Sequence, residues 1–214
     1  IKQLAGQTIW YGGSTIVSRL LNYLLTPYLT LKLTGDDYGD NTLVYSLIPF
    51  LNIIFTYGLE TGFFRFSQKK EQADDLNNVA SISIIASTLT FTAVLFLLAG
   101  PIASLISIGK HPEYIKLAAI IIAFDSLSTI PFAKLRQEGR PIKFAIIRVS
   151  AVLVNLFVLY FLLSLSPQLA KQNPNSVFTI LSNKSMSVTY VLIANVIMSG
   201  FTFMMLWKEF KSFE

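Results

Sequence analysis

Four ionisable side chains lie inside long apolar segments of this sequence, where a charge is costly. They are Arg19, Glu60, Asp125 and Arg148. At a rise of about 1.5 Å per helical residue, Arg19 lies roughly 18 Å, and Asp125 roughly 15 Å, from one end of its segment. A charge at the centre of a membrane helix costs about 2.5–3.5 kcal/mol, and such charges typically mark substrate or ion pathways. We therefore expect two arginines that can bind an anion and two carboxylates that balance their charge.

The depths of these four charges predict how they pair. Arg19 and Asp125 share one level, and Glu60 and Arg148 share a shallower level, about 10 Å from a helix end. One interpretation is two structural ion pairs that lock neighbouring helices together. The other is a hydrated cavity in which the arginines meet an anionic cargo. The two interpretations are compatible if the pairs break during transport.

A stripe of polar residues runs along the first apolar segment. Ser14, Ser18, Asn22 and Thr26 are four residues apart, so they lie on one face of a helix, with Arg19 beside them. Such a stripe either lines a wet interior or packs helices together through small residues. Packing alone does not need an arginine, so the stripe favours the wet interior.

Long apolar segments must position these side chains. Hydrophobic residues make up 53% of the 214 residues and charged residues only 14%, whereas a soluble domain carries about 25% charged residues. Since about 20 helical residues cross the hydrocarbon of a bilayer, the sequence predicts an all-α integral membrane protein. We expect residues 1–214 to form one lobe of six transmembrane helices, with spans at about 7–33, 41–66, 79–107, 114–135, 141–165 and 186–207. The polar segment 166–185 is predicted to be an exposed loop.

The basic residues predict how the spans are oriented. Ten of the seventeen Lys and Arg residues fall on one side of the predicted spans and five on the other, and the remaining two lie inside spans. Because cytoplasmic loops are enriched in Lys and Arg, this bias places both termini in the cytoplasm. The net charge of +5 comes from these short loops and forms no continuous basic patch, so we expect no binding of nucleic acid.

The residue types needed for enzymatic chemistry are scarce. The sequence has no cysteine, and its one histidine, His111, lies in a predicted solvated loop. It contains no metal-ligand spacing, no glycine-rich phosphate loop and no Ser/His/Asp set. We therefore expect no enzymatic activity, no metal and no cofactor.

Several stretches resemble one family of membrane transporters. The stretches are LAGQTIWYG at 4–12, NYLLTP at 22–27, GDDYG at 35–39, YGLETGFFRF at 57–66 and DSLSTIPFAKLR at 125–136. They resemble the amino-terminal lobe of the polysaccharide-biosynthesis flippases, which belong to the multidrug/oligosaccharidyl-lipid/polysaccharide exporter superfamily. The resemblance runs from residue 4 to about 150.

The resemblance implies two six-helix lobes that face each other across a central cavity, which opens alternately to each side of the membrane. The implied cargo is an undecaprenyl-pyrophosphate-linked oligosaccharide used for polysaccharide, O-antigen or capsule biosynthesis. Arginine matches phosphate oxygens with a planar fork of donors, so the arginines are the expected phosphate ligands. The implied cavity residues are Arg19, Asn22, Glu60, Arg65, Asp125 and Arg148, and Arg65, Arg136 and Arg140 are expected to gather the anionic headgroup at the cytoplasmic mouth.

The resemblance also predicts partners and location. We expect the protein in the bacterial inner membrane, in contact with membrane lipids and the lipid-linked oligosaccharide. Six spans make only one lobe, so the second lobe is expected from the C-terminal part of the same protein or, as the alternative, from a second copy. Asp125 and Glu60 are candidates to carry a coupling proton or sodium ion.

Two other functions remain open from the sequence. A multidrug antiporter of the same superfamily exports organic cations, and acidic residues should then dominate its cavity. A non-transporting membrane scaffold should tolerate neutralisation of all four buried charges together. The arginine on the first span favours an anionic cargo over both.

Overall fold

The structure, a computed structural model, describes residues 2–66, 73–172 and 186–211, without the side chains of 2–8, 63–66, 73–78 and 211. These described ranges are helical and contain no strand. Four helical stretches are long and apolar enough to cross a membrane: Val79–Leu97, Pro112–Gln137, Pro141–Gln172 and Ser187–Met205. The predicted all-α membrane class is therefore confirmed.

The first two helices are long but more polar than these four. α1 spans Lys2–Lys32, with 31 residues, and α2 spans Gly35–Thr56, with 22 residues. Both carry polar residues that face the interior of the lobe, such as Ser18 and Asn52. That they also cross the membrane stays a prediction.

Two predicted spans are broken into separate helices. After α2, Tyr57 (φ 35°) and Gly58 (φ 72°) both adopt left-handed backbone conformations, which glycine accepts without a Cβ penalty. The short helix α3, Leu59–Phe66, then begins in a new direction. The predicted span 79–107 likewise divides into α4, Ala73–Leu97, and α5, Ala99–Leu105.

The helices from the middle of the chain onward match their predicted spans, with one correction. α6 is Pro112–Gln137, and α7, Pro141–Tyr160, continues through a π-helical segment, Phe161–Leu165, into α8, Ser166–Gln172. The predicted loop at 166 is therefore wrong for its first seven residues. Pro167 favoured a loop in the sequence, but the helix continues past it through the wider π-helical turn just before it, where the Ser166 N–H donates to the Phe161 carbonyl five residues back. The chain ends with α9, Ser187–Met205, and α10, Trp207–Lys211.

The central helix of the lobe is α6. It packs against α9, α4, α2 and α5, whereas α1 packs mainly against α7 and hardly touches α2. More than half of the apolar stretch of α6, 56%, is buried, compared with 28% of Val79–Leu97. Large apolar side chains on the outer surface, such as Leu31 and Leu105 (both 84% exposed), suit contact with hydrocarbon rather than water. A gap between α1 and α2 is left open.

Candidate functional site

A cavity of about 600 Å³ occupies the gap between α1, α2, α6, α7 and α9. We call it the chamber. It is lined by Ser18, Asn22, Pro49, Asn52, Ile53, Thr56, Glu60, Asp125, Ser128, Thr129, Phe132, Arg136, Arg148, Ala151, Val152, Met198 and Thr202. The lining combines two arginines, two carboxylates and several hydroxyl and amide groups within an otherwise apolar bundle.

The first charged pair of the chamber joins α3 to α6. Arg136, in the last turn of α6, donates a hydrogen bond to Glu60 Oε1. The Glu60 side chain is 37% exposed and that of Arg136 is 35% exposed, so water reaches both. The break at Tyr57 and Gly58 turns α3 so that Glu60 meets the end of α6. A partner of opposite charge thus holds Arg136 without sealing it from the chamber.

The second charged group of the chamber joins α6 to α7. The half-buried carboxylate of Asp125 lies beside Ser199 and interacts electrostatically with Arg148. The guanidinium of Arg148 lines the chamber, and the charges that act on it are, in decreasing order, Arg136, Asp125 and Glu60. The predicted pairing is therefore wrong: Glu60 forms an ion pair with Arg136, whereas Arg148 acts on Asp125 electrostatically.

Aromatic rings support both arginines. The guanidinium carbon of Arg148 lies 5.1 Å from the ring centre of Phe132 and 5.5 Å from that of Phe144. The guanidinium carbon of Arg136 lies 5.7 Å from the ring centre of Phe144. At these distances the negative face of a ring attracts a cation, with a larger effect where water is partly excluded.

Arg19 does not enter the chamber lining. Ser18 and Asn22, on the predicted polar stripe of α1, do line it, which confirms their orientation. Arg19 is rotated by about 100° from Ser18 around the helix, and it lies on the exposed flank with Leu20 and Tyr23. Asp125 is engaged by Arg148, so the predicted pair of Arg19 and Asp125 is wrong.

The remaining predicted residues separate into different environments. Arg136 lines the chamber, but Arg140 contacts Glu138 Oε2 at 3.1 Å and Glu209 Oε1 at 3.3 Å. Lys143 also contacts Glu209, which is only 4% exposed. Arg140 thus belongs to a packed ionic cluster at the turn between α6 and α7. Arg65 lies in α3, and its side chain is outside the described residues.

The family of the chain follows from a match along most of its length. The family described as "Polysaccharide biosynthesis protein" matches residues 29–207. The chain belongs to this family. The search of curated proteins found no match, and the search of solved structures found none either. The family match confirms the resemblance and extends it beyond residue 150, although it does not include the stretches at 4–12 and 22–27.

Several chamber residues of this polysaccharide biosynthesis protein were missed in the sequence. On α6 the missed residues are Ser128, Thr129 and Phe132, which lie between Asp125 and Arg136 at spacings of three and four. The helical spacing that revealed the stripe on α1 would have found this second stripe too. Asn52 and Thr56 on α2, four residues apart, follow the same rule.

The hydroxyl groups of the chamber differ in what they can offer a ligand. Ser128 Oγ donates to the carbonyl of Phe124 at 2.8 Å, and Thr129 Oγ1 donates to the carbonyl of Asp125 at 3.2 Å. Ser18 Oγ is buried and has no hydrogen-bond partner among the described residues. A buried hydroxyl without a partner costs free energy, so Ser18 is suited to bind a water or a polar cargo group.

Proposed function

We propose that this chain is one six-helix lobe of a flippase that moves a lipid-linked oligosaccharide across the bacterial inner membrane. In this proposal α1 and α2 complete the six crossings, and both termini lie in the cytoplasm. The cargo is an undecaprenyl-pyrophosphate-linked sugar used in envelope or capsule polysaccharide. The protein binds and moves its cargo and makes or breaks no covalent bond in it.

The observation that carries the proposal is the chamber with its two arginine–carboxylate groups. A sugar–pyrophosphate headgroup needs a polar path through an apolar bundle, because leaving its charges in hydrocarbon is prohibitive. The arginines supply charge-assisted hydrogen bonds to phosphate oxygens. Membership of a polysaccharide biosynthesis family supports this cargo over other anions.

The side chains of the chamber are balanced in charge, and this supports a mechanism. Two arginines face two carboxylates, so an incoming anion has to displace the carboxylates and leaves excess negative charge. A proton or a sodium ion on Asp125 or Glu60 would reduce this excess. Cargo binding and ion binding are then favourable together, which is the coupling that an ion-driven flippase requires.

The alternative cargo, an organic cation, is less well supported. A chamber that exports cations should be dominated by carboxylates, yet Arg136 and Arg148 match Glu60 and Asp125 in number. α1 and α2 also hardly touch each other, although both line the chamber. We propose that a second lobe, from the same protein or from a second copy, closes it.

A vesicle assay tests the proposed activity. The full-length protein is reconstituted into liposomes that contain a radiolabelled polyprenyl-pyrophosphate oligosaccharide, and an impermeant pyrophosphatase is added outside. In protein-free vesicles only outer-leaflet molecules are cleaved. We expect the protein to carry the inner-leaflet molecules outward, so that cleavage continues to completion, faster with a proton or sodium gradient. Cleavage that stops at the outer leaflet, with or without a gradient, would contradict the proposal.

A further inference from the structure

One aromatic ring, that of Phe144, lies within about 6 Å of two cationic side chains. The guanidinium carbons of Arg136 and Arg148 lie 5.7 and 5.5 Å from its centre. Two arginines this close to one point repel each other, and each is also drawn towards its own carboxylate. The ring attracts both of them, so it offsets the repulsion and draws the two guanidinium groups together.

The helix register produces this arrangement. Phe132 precedes Arg136 by four residues on α6, and Phe144 precedes Arg148 by four residues on α7, so each arginine lies one turn from a ring of its own helix. The two helices run in opposite directions after a short turn at 138–140. As a result Arg136 also reaches the ring of α7, and Arg148 also reaches the ring of α6.

Phe144 is itself held in place by rings from two other helices. It is 4% exposed and makes edge-to-face contacts with Tyr11 of α1 at 5.1 Å and with Phe132 of α6 at 5.2 Å. The Tyr11 hydroxyl donates to the carbonyl of Leu135 at 3.3 Å. A side chain fixed in this way can set the position of groups that rest on it.

We infer that Phe144 is a positioning residue that presents Arg136 and Arg148 together to the two phosphates of a diphosphate group. The inference rests on the proposed function, because it assigns the phosphate-binding part of that chamber. One arginine can hold one phosphate, but two guanidinium groups on a shared ring favour a ligand with two linked phosphates. The chamber should therefore prefer diphosphate over monophosphate.

Calorimetry tests this preference. It measures the affinity of the purified full-length protein for inorganic pyrophosphate and for orthophosphate. We expect wild type to bind pyrophosphate more tightly than orthophosphate. Phe144→Leu should reduce pyrophosphate affinity about tenfold, because the cation–ring attraction is lost, and should change orthophosphate affinity little. Phe144→Trp should retain the preference. If Phe144→Leu keeps the wild-type preference, the inference is wrong.

Two controls separate positioning from simple packing. Phe55 is also buried, at 1% exposure, and packs on Phe91, so Phe55→Leu should lower thermal stability without changing the preference for pyrophosphate. In a double-mutant cycle, Phe144→Leu should have a clearly smaller effect on pyrophosphate affinity once Arg136 is replaced by Gln, because only Arg148 then rests on the ring. Additive effects in this cycle would show that Phe144 does not act through Arg136.

A further test uses the wild-type protein, so it does not require any variant to fold. Pyrophosphate should protect Arg136 and Arg148 together from modification by phenylglyoxal, as measured by mass spectrometry. Protection of only one of them overturns the inference. A wild type that transports the oligosaccharide without binding pyrophosphate also overturns it and leaves the proposed function standing. Pyrophosphate binding that depends on Phe144, without transport, supports the inference and refutes the proposed function.

Discussion

The lobe contains two kinds of ionic group that are built from the same residue types. In the chamber, Glu60 and Arg136 form a pair in which each side chain is more than a third exposed. At the turn between α6 and α7, Glu209 is 4% exposed and is held by both Lys143 and Arg140. The first group borders a cavity, whereas in the second the carboxylate is buried between helices and Arg140 remains 47% exposed.

This difference in exposure separates a group that can exchange partners from one that cannot. A carboxylate taken out of water is stable only while its cations remain, so Glu209 ties α10 to the start of α7. Water and ligands reach Glu60 and Arg136, and Arg136 can therefore leave its carboxylate for a phosphate at little cost. We therefore expect the chamber pairs to serve the proposed transport and the Glu209 cluster to serve stability.

Replacement of Arg148 should have the largest effect on transport. Arg148→Ala removes the deeper of the two chamber cations, and loss of a charge-paired ligand contact typically costs several kcal/mol, so transport in vesicles should fall on the order of 100-fold. Arg148→Lys should restore part of the rate, because lysine keeps the charge but lacks the planar fork. The melting temperature should change little. A wild-type rate in the alanine variant would place Arg148 outside the cargo path.

Replacement of Glu209 should have the opposite result, a loss of stability with little change in transport. Glu209→Gln leaves Lys143 and Arg140 without their shared carboxylate, and we expect stability to fall by about 1–3 kcal/mol. Thermal unfolding measures this loss, while transport per folded molecule should stay near wild type. Glu138→Gln is the matched control, since Glu138 contacts Arg140 from an exposed position and should change stability by less than about 1 kcal/mol. A transport defect without a loss of stability would overturn the comparison.

Two arginines near the end of α6 provide a smaller test. Arg136→Gln should raise the KM for lipid-linked oligosaccharide about tenfold, because its guanidinium lines the chamber. Arg140→Gln should leave the KM unchanged, since the Arg140 guanidinium is engaged by Glu138 and Glu209. The two variants remove the same charge only four residues apart. Equal effects on KM would mean that general positive charge, rather than position in the chamber, attracts the cargo.

The smallest effect should come from Asp40, near the opposite end of α6. Burial raises the pKa of Asp40, with added repulsion from Asp37 and Asp36, while His111 partly opposes the rise. Since the folded state favours the protonated form, this contribution to stability is present at low pH and is lost as the pH rises through the raised pKa. Asp40→Asn should therefore raise the melting temperature by about 1–2 °C at pH 7. The difference should shrink as the pH falls through the raised pKa and be lost below the usual Asp pKa, and a constant difference would contradict the assignment.

The sequence by itself determined the class of the protein and much of its helical framework. Apolar segments of sufficient length can satisfy their backbone groups within a bilayer only as helices or closed barrels, so the spans from 114 onward agree with α6, α7 and α9. The spacing of four along α1 placed Ser18 and Asn22 on the chamber side. Sequence stretches such as 125–136 also identified the family correctly.

Only the tertiary structure decided which charges meet. The rise per residue gives the depth of Arg19 or Glu60 along its own helix axis. Which neighbouring helix the side chain faces depends on how the helices pack. The left-handed residues Tyr57 and Gly58 turn Glu60 towards Arg136, and the packing of α7 beside α6 brings Arg148, rather than Arg19, to Asp125. A difference of one residue rotates a side chain by about 100°, so Ser18 lines the chamber while Arg19 does not.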